Sequence, residues 1–429
     1  MQIGRWNHQS TGYSGGQKTF SARPYKKGGD VFPRSNAPYR GRINRKYPIT
    51  RKQGIGAFGR TEMEISKFMN KSVVTTEEPV FVPEHSFSDF AINDRLKKNI
   101  VTRKYETPTP IQDKVIPHVL MGQDVVGLAE TGTGKTAAFL IPLIDKVIKQ
   151  KGERVLIMAP TRELAVQIEK ELAGLAKGLG FRGMVAVGGT NIGPQISALR
   201  HDPAFVIGTP GRLKDLMERR ALDLSNIGTA VLDEADRMLD MGFIDDMRFI
   251  LGKMRKEKHV LFFSATMSHE IEKLIGDFLS TPVVISVKTR DTAKNIDQDV
   301  VRIPRGGDKF EILVEMLQNP EFNKVLIFGR TKHGVERLAK DLSRRHIHAE
   351  SIHGNKTFSA RMRALDSFKS GKVIALVATD VAARGLDIPA VSHVINYDLP
   401  STYEDYIHRV GRTGRADMKG KALTFVQSH

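Results

Sequence analysis

One alternation narrows the fold of this 429-residue chain more than any other feature. Short apolar runs at 125–128, 155–159, 184–187, 205–208, 230–232 and 260–264 are separated by longer, helix-like segments. In one of these, Leu164, Ile168, Leu172 and Leu175 recur close to a 3.6-residue period. A second series follows, with runs at 300–303, 325–328, 349–352, 373–377, 394–396 and 422–425. Its helices carry Phe310, Leu313, Val314 and Leu317, then Val335, Leu338, Ala339 and Leu342, each on one face. Strand–helix alternation of this kind predicts a parallel sheet covered by helices on both faces. Because the pattern occurs twice, the expected class is α/β with two tandem domains and a cleft between them. The polar, aperiodic stretch 288–299 reads as a linker. It divides a first domain, 81–287, from a second, 300–429.

The first run leads into Ala129-Glu130-Thr131-Gly132-Thr133-Gly134-Lys135-Thr136, and a helix-compatible run follows. Glycines let backbone N–H groups turn inward on a polyphosphate, and a helix N-terminus adds its positive end. Lys135 can reach the β- and γ-phosphates, and the Thr136 hydroxyl can hold Mg²⁺. Ala129 stands where the general phosphate-loop pattern has glycine. Pro142, inside the following helix, predicts a kink or a shifted hydrogen bond. The second series has no such turn, so one nucleotide site is expected for two similar domains.

The formal net charge of +18 favours a polyanionic partner. Much of it lies in residues 1–60, where 13 Lys or Arg face Asp30 alone. With Trp6, Tyr13, Phe20, Tyr25, Phe32, Tyr39, Tyr47 and Phe58 interleaved and no sustained period, residues 1–80 read as a disordered basic arm. Such a composition suits single-stranded nucleic acid through phosphate attraction and base stacking; a solubilising tail is the plainer alternative. Residues 62–69 could form a short helix. The chain has no cysteine, which excludes disulfides and thiolate metal sites and is compatible with a reducing, cytoplasmic compartment. Neither a membrane span nor a secretory leader is expected.

Asp233-Glu234-Ala235-Asp236 follows the run 230–232. A carboxylate at a strand end, opposite a phosphate turn, suits a Mg²⁺ ligand, in part through water, and Asp233 fits that place. Glu234 beside it can orient or deprotonate a water.

The phosphate turn followed by Asp-Glu-Ala-Asp resembles the DEAD-box family of ATP-dependent RNA helicases. Further motifs agree in order from Phe87 to the C-terminus. The resemblance implies two RecA-like domains with an inter-domain ATP/RNA cleft, and ATP and Mg²⁺ as cofactors. Tyr105-x-x-Pro108-Thr109-Pro110-Ile111-Gln112, with Phe87 upstream, resembles the family's adenine-reading segment. A glutamine amide donates and accepts at once, which suits adenine. Pro160-Thr161-Arg162-Glu163-Leu164, Gly188-Gly189 and Thr209-Pro210-Gly211-Arg212 resemble RNA-backbone contacts of the first domain. Arg330, His353, Gly354, Arg361 and Thr379 match those of the second. Ser264-Ala265-Thr266 resembles the motif that couples hydrolysis to strand separation, with hydroxyls that could bond to Asp236. His408 belongs to the same coupling set.

The resemblance also places Gly385 and Asp387 at the nucleotide, Asp387 on its ribose. Arg412 and Arg415, in His408-Arg409-Val410-Gly411-Arg412-Thr413-Gly414-Arg415, become arginine fingers toward the γ-phosphate. The implied activity is RNA-stimulated ATP hydrolysis with local, non-processive unwinding. A monomer is expected, with RNA held by its backbone. Phe358 departs from the pattern, since the family often has glutamine three residues before the counterpart of Arg361.

Overall fold

The computed structural model describes residues 81–130, 132–287, 296–383, 388, 391–414 and 420–427. The predicted arm, the short helix at 62–69 and residues 288–295 of the linker lie outside the described residues. So do Thr131, Gly385, Asp387 and Arg415.

Seven strands build the first sheet: β1 (Val125–Leu128), β2 (Val155–Met158), β3 (Gly183–Ala186), β4 (Phe205–Gly208), β5 (Thr229–Leu232), β6 (His259–Ser264) and β7 (Val283–Ser286). Six build the second: β8 (Ile296–Ile303), β9 (Val325–Phe328), β10 (Ala349–Ile352), β11 (Ala375–Ala378), β12 (His393–Asn396) and β13 (Gly420–Gln427). The orders are β3-β4-β2-β5-β6-β1-β7 and β10-β11-β9-β12-β13-β8. Every pairing in both is parallel.

Parallel sheets bury both faces, and the side-chain alternation shows it. Phe263 joins the apolar core on one face of the first sheet, with Phe139 and Leu140. Its neighbour Phe262 joins the core on the other, with Met238 and Met247. In β9, Leu326 and Phe328 point to one core and Val325 and Ile327 to the other. Ile271 and Leu274 close one side of the first sheet from the helix His269–Phe278, whose Ser268 hydroxyl accepts from the Ile271 N–H as N-cap.

Most strands lie within a residue or two of the predicted runs, and two differences are larger. β7 was not foreseen. It is an edge strand with Val284 and Ser286 exposed, so its short apolar run carries little alternation. β8 starts at Ile296, four residues inside the stretch read as linker, and Ile296 to Asp299 pair with Gly420 to Leu423. Asp297 and Asp299 are exposed at that edge, which gives the segment its loop-like polarity. The helix Lys135–Lys149 runs through Pro142 as one element. Among the described residues no helix is long and apolar enough to cross a membrane.

Strand order decides where chemistry can collect. β5, β6 and β1 are neighbours, so the turns leaving their C-terminal ends converge. These ends carry Asp233, Ser264 and the phosphate turn. Ligands of open α/β sheets bind at such carboxyl ends.

Candidate active site

The phosphate turn joins β1 to the helix Lys135–Lys149. Gly132 and Gly134 have φ of 89° and 95°, a left-handed conformation that side chains disfavour. Gly134 has a second reason to be glycine. A Cβ there would lie 2.5 Å from the Gln112 amide nitrogen. Ala129, by contrast, is still strand-like: its N–H donates to the Ser264 carbonyl at 3.0 Å. No positive φ is demanded of it, so a methyl group is accommodated in the core. Lys135 is buried and donates from Nζ to the Ala129 carbonyl at 2.8 Å. Thr133 closes the turn with a hydrogen bond from its hydroxyl to the Glu130 carbonyl. Thr136 is half-buried in the first helical turn.

Asp233 leaves β5, its N–H donating to the Met158 carbonyl at 3.0 Å. Its side chain is 2% exposed, and Oδ1 has no hydrogen-bond partner. Burial pushes its carboxyl up to about 6; Lys135 opposes this and Glu234 adds to it. A buried carboxylate oxygen without a partner, beside a phosphate turn, is what a divalent cation or its water would complete. Asp233 and Thr136 therefore fit the predicted magnesium set.

Glu234 turns the chain from strand to helix in a left-handed conformation, φ 51° and ψ 52°. A non-glycine residue held there stores backbone strain in order to aim its side chain. Burial raises its carboxyl, but Arg237, Lys135 and Arg412 together hold it below the ordinary range. Arg237 Nη1 lies 3.1 Å from Glu234 Oε2. Asp236 accepts three hydrogen bonds at Oδ2, from the Ala265 N–H, the Thr266 N–H and the Thr266 hydroxyl, at 3.0, 2.9 and 3.1 Å. Of the two predicted hydroxyls only that of Thr266 reaches Asp236. Ser264 donates to the Thr266 carbonyl instead.

Gln112 sits at the third position of the helix Pro110–Leu120, where its Oε1 accepts from the Thr109 N–H at 2.9 Å. Its Nε2 donates to the Gly134 carbonyl at 3.1 Å. One amide thus locks the adenine-type segment to the phosphate turn. Tyr105 packs edge-on against buried Phe87, with ring centroids 5.9 Å apart, and its hydroxyl donates to Glu171.

The RNA-type residues lie at other strand ends. Pro160 and Thr161 are buried after β2, and the Thr161 hydroxyl caps the helix Arg162–Leu175. Gly189 has φ 70°, and a Cβ there would strike the Arg162 guanidinium, so glycine makes room for that side chain. Thr209 and Pro210 start the helix Pro210–Glu218. Arg212 Nη2 donates to the Thr190 carbonyl at 3.3 Å. In the second domain the Arg330 N–H donates to Asp398. His353 is buried, 3.1 Å from Glu336, whereas Gly354 is exposed. Thr379 is half-buried at the end of β11.

Two contacts join elements of the two sheets. Arg361 Nη2 lies 3.1 Å from Oε2 of buried Glu163, and Arg237 Nη2 donates to the Val381 carbonyl at 3.3 Å. Arg412 is buried two residues beyond the helix Tyr403–Val410, its Nε donating to the His408 carbonyl. His408 itself is exposed.

Three residues outside the predicted site set are central to this geometry. Glu163 is the counter-ion of Arg361, and Arg237 is that of Glu234. Arg409 is buried and clamps Asp380 at 2.5 and 2.8 Å, while also donating to Asn396 and to the Asp398 carbonyl. Each stands inside or beside a quoted motif, so proximity was the available signal.

Known proteins share this arrangement. A family model described as DEAD/DEAH box helicase matches residues 109–274, and one described as helicase conserved C-terminal domain matches 308–417. ATP-dependent RNA helicase CshA of Listeria monocytogenes is 47% identical over 346 residues, 80% of this chain and 66% of that protein. DEAD-box ATP-dependent RNA helicase CshA of Bacillus subtilis is 45% identical over 345 residues, 80% of this chain and 69% of the relative. The chain thus spans about two thirds of the length of these curated relatives. S. cerevisiae Dbp5 bound to RNA and ADP BeF3 is similar with a TM-score of 0.70 and 30% identity, covering 80% of this chain and 90% of that one.

Proposed function

This chain belongs to the DEAD/DEAH-box helicase family, and we propose that it is an ATP-dependent RNA helicase. RNA-stimulated hydrolysis of ATP to ADP and phosphate would drive local, non-processive unwinding or remodelling of RNA duplexes and RNA–protein complexes. One observation carries this reading above the others. Buried Glu234 is under the charge of Lys135 from the first sheet and of Arg412 from the second at once. A hydrolytic site assembled from two domains can be switched by whatever brings them together.

Each residue then has a task. Lys135 exchanges the Ala129 carbonyl for phosphate oxygens. Gln112 presents its amide to adenine, with Tyr105 and Phe87 alongside, and Gly385 and Asp387 bound the ribose. Glu234 orients a water in line with the γ-phosphate and takes its proton. Arg412 and Arg415 neutralise charge developing on the transferred phosphoryl group. Asp233 and Thr136 would hold Mg²⁺, which neutralises phosphate charge when bound. Asp236, Ser264, Thr266 and His408 transmit closure. Pro160, Thr161, Arg162, Gly189, Thr209, Pro210, Arg212, Arg330, His353, Gly354, Arg361 and Thr379 grip RNA through its backbone, which carries no base sequence.

The domain division supported best is a basic arm over 1–80, a nucleotide-binding domain over 81–287 and a second domain whose start moves back to Ile296 with β8. A monomer in the cytoplasm completes the reading, in keeping with a chain that has no cysteine. Steady-state ATPase measured with and without RNA tests the proposal. Stimulation by RNA but not by DNA of the same length supports it, and a rate indifferent to RNA refutes it. Gln112→Ala should also weaken discrimination of ATP from GTP.

A further inference from the structure

Arg237 has no part in the scheme above, yet its guanidinium touches both halves of the site. It lies in the first turn of the helix Ala235–Asp240, three residues after Glu234, and is 7% exposed. Nη1 holds Glu234 Oε2 at 3.1 Å, and Nη2 donates to the Val381 carbonyl at 3.3 Å. The first acceptor is a carboxylate leaving β5. The second is a backbone carbonyl in the short helix Asp380–Ala383, just past β11 of the other sheet.

The Val381 carbonyl is itself tied to the helix that carries the arginines. Asp380 precedes it and is clamped by Arg409, which also bonds Asn396 at the end of β12. Arg409 and Arg412 are three residues apart, at the end of the helix Tyr403–Val410 and just beyond it. A continuous series of polar contacts therefore runs from Glu234 through Arg237 to Val381, and from Asp380 through Arg409 to the segment bearing Arg412. A planar guanidinium, with five donors in a fixed fork, can serve two acceptors in different directions.

We propose that Arg237 is a positioning residue that couples apposition of the two domains to the orientation of Glu234. With the domains together, Val381 fixes the guanidinium plane, and that plane fixes the carboxylate. With the domains apart, the guanidinium loses the Val381 carbonyl, and with it the contact from the second domain that fixes its plane over Glu234. The inference rests on the helicase reading, and it adds a reason for hydrolysis to need closure besides delivery of Arg412.

The test uses the full chain and begins with RNA-stimulated ATPase of the parent. Absence of stimulation there would count against the helicase reading and not against Arg237. Arg237→Lys is then compared with the parent. Lysine keeps the positive charge beside Glu234, but a compact ammonium does not reproduce the fork. The expected result is a fall of about 10-fold or more in RNA-saturated kcat, with KM for ATP held within about 2-fold, the signature of an interaction made only in the reacting complex. Recovery of kcat by lysine to within about 2-fold would reduce Arg237 to a counter-charge and overturn the proposal.

A second measurement does not depend on turnover. The chain has no native cysteine, so dyes on Met121→Cys and Glu315→Cys, both exposed positions, report the distance between domains. With RNA and a non-hydrolysable ATP analogue, Arg237→Lys should lower the closed fraction, while Glu234→Gln, which keeps an acceptor for Arg237, should preserve it. An unchanged closed fraction in Arg237→Lys would overturn the latch.

Discussion

The two sheets share an architecture and differ at the centre of their strand ends, although each domain buries polar atoms without partners, His353 Nδ1 and Arg361 Nε among them in the second. At and just after the strand ends of the first, Asp233 Oδ1, Glu163 Oε1 and Arg212 Nη1 are buried without partners, as is Thr109 Oγ1 at the start of the helix Pro110–Leu120. The corresponding centre of the second sheet is complete in itself. Arg409 is buried against the Phe328 ring, and it bonds Asp380, Asn396 and the Asp398 carbonyl. Unsatisfied buried groups cost stability, and beside a phosphate turn a ligand can supply what is missing. On the proposed function the first domain receives the ligand, and the second presents Arg412 just beyond the helix that Arg409 anchors.

The largest effect expected from breaking this contrast is on chemistry. Lys135→Ala, Glu234→Gln and Arg412→Ala should each lower RNA-stimulated ATP hydrolysis, Arg412→Ala by on the order of 10³-fold or more, as for arginine fingers elsewhere. Equal turnover in any of them would remove that residue from the site. Next in size is stability, and here the two sheets should respond with opposite sign. Arg409→Met leaves Asp380 and Asn396 without their partner and should cost about 3 kcal/mol in chemical denaturation. Asp233→Asn removes a desolvated charge whose Oδ1 has no partner, and should stabilise the ligand-free chain by about 1 kcal/mol while abolishing hydrolysis.

A smaller effect sits away from the site. His259 begins β6 with its Nε2 donating to the Gln123 carbonyl at 2.7 Å and its Nδ1 buried without a partner. Burial, with Lys146 nearby, holds this imidazole below its ordinary value despite the Gln123 contact. The unfolded chain therefore binds the proton first. The contribution of His259 is whole above the ordinary imidazole value of about 6.5 and is lost as pH falls below it. His259→Gln should flatten that part of the stability–pH curve; an unchanged curve would assign the loss to other groups. Smallest of all, Phe358→Gln should change RNA affinity by less than about 3-fold, because Phe358 is a half-buried first residue of its helix while Arg361 is already held by Glu163. A larger gain would show that the phenylalanine sacrifices a contact.

Much of this was legible in the chain because it depends on local spacing. β1, β4, β9 and β10 lie where their apolar runs do, and the turn from Ala129 to Thr136 announces itself by glycine at positive φ and Lys-Thr at a helix start. The place of Asp233 was legible because a strand end is a fixed place in such a sheet. What escaped has physical reasons. β7 has half its residues in solvent, and β8 pairs with β13, more than 100 residues onward, so its first four residues look like linker until the partner is known. Arg409 and Arg412 are the same residue type three positions apart. Only the fold shows that one is an internal clamp and that the other is buried with its charge acting on Glu234. Glu163 and Arg237 read as ordinary helix charges until their partners arrive from elsewhere in the chain.

The bond from Lys135 to the Ala129 carbonyl bears on timing. A buried ammonium abandoned by a departing phosphate would be strongly unfavourable, and that cost would hold product in place. Here the turn carries its own stand-in for a phosphate oxygen, one hydrogen bond away. Release would therefore exchange one acceptor for another and leave no charge stranded. On the proposed function the backbone of the turn would work as a return spring for its lysine, and the pace of the cycle would be free to be set by how long the two domains keep hold of RNA.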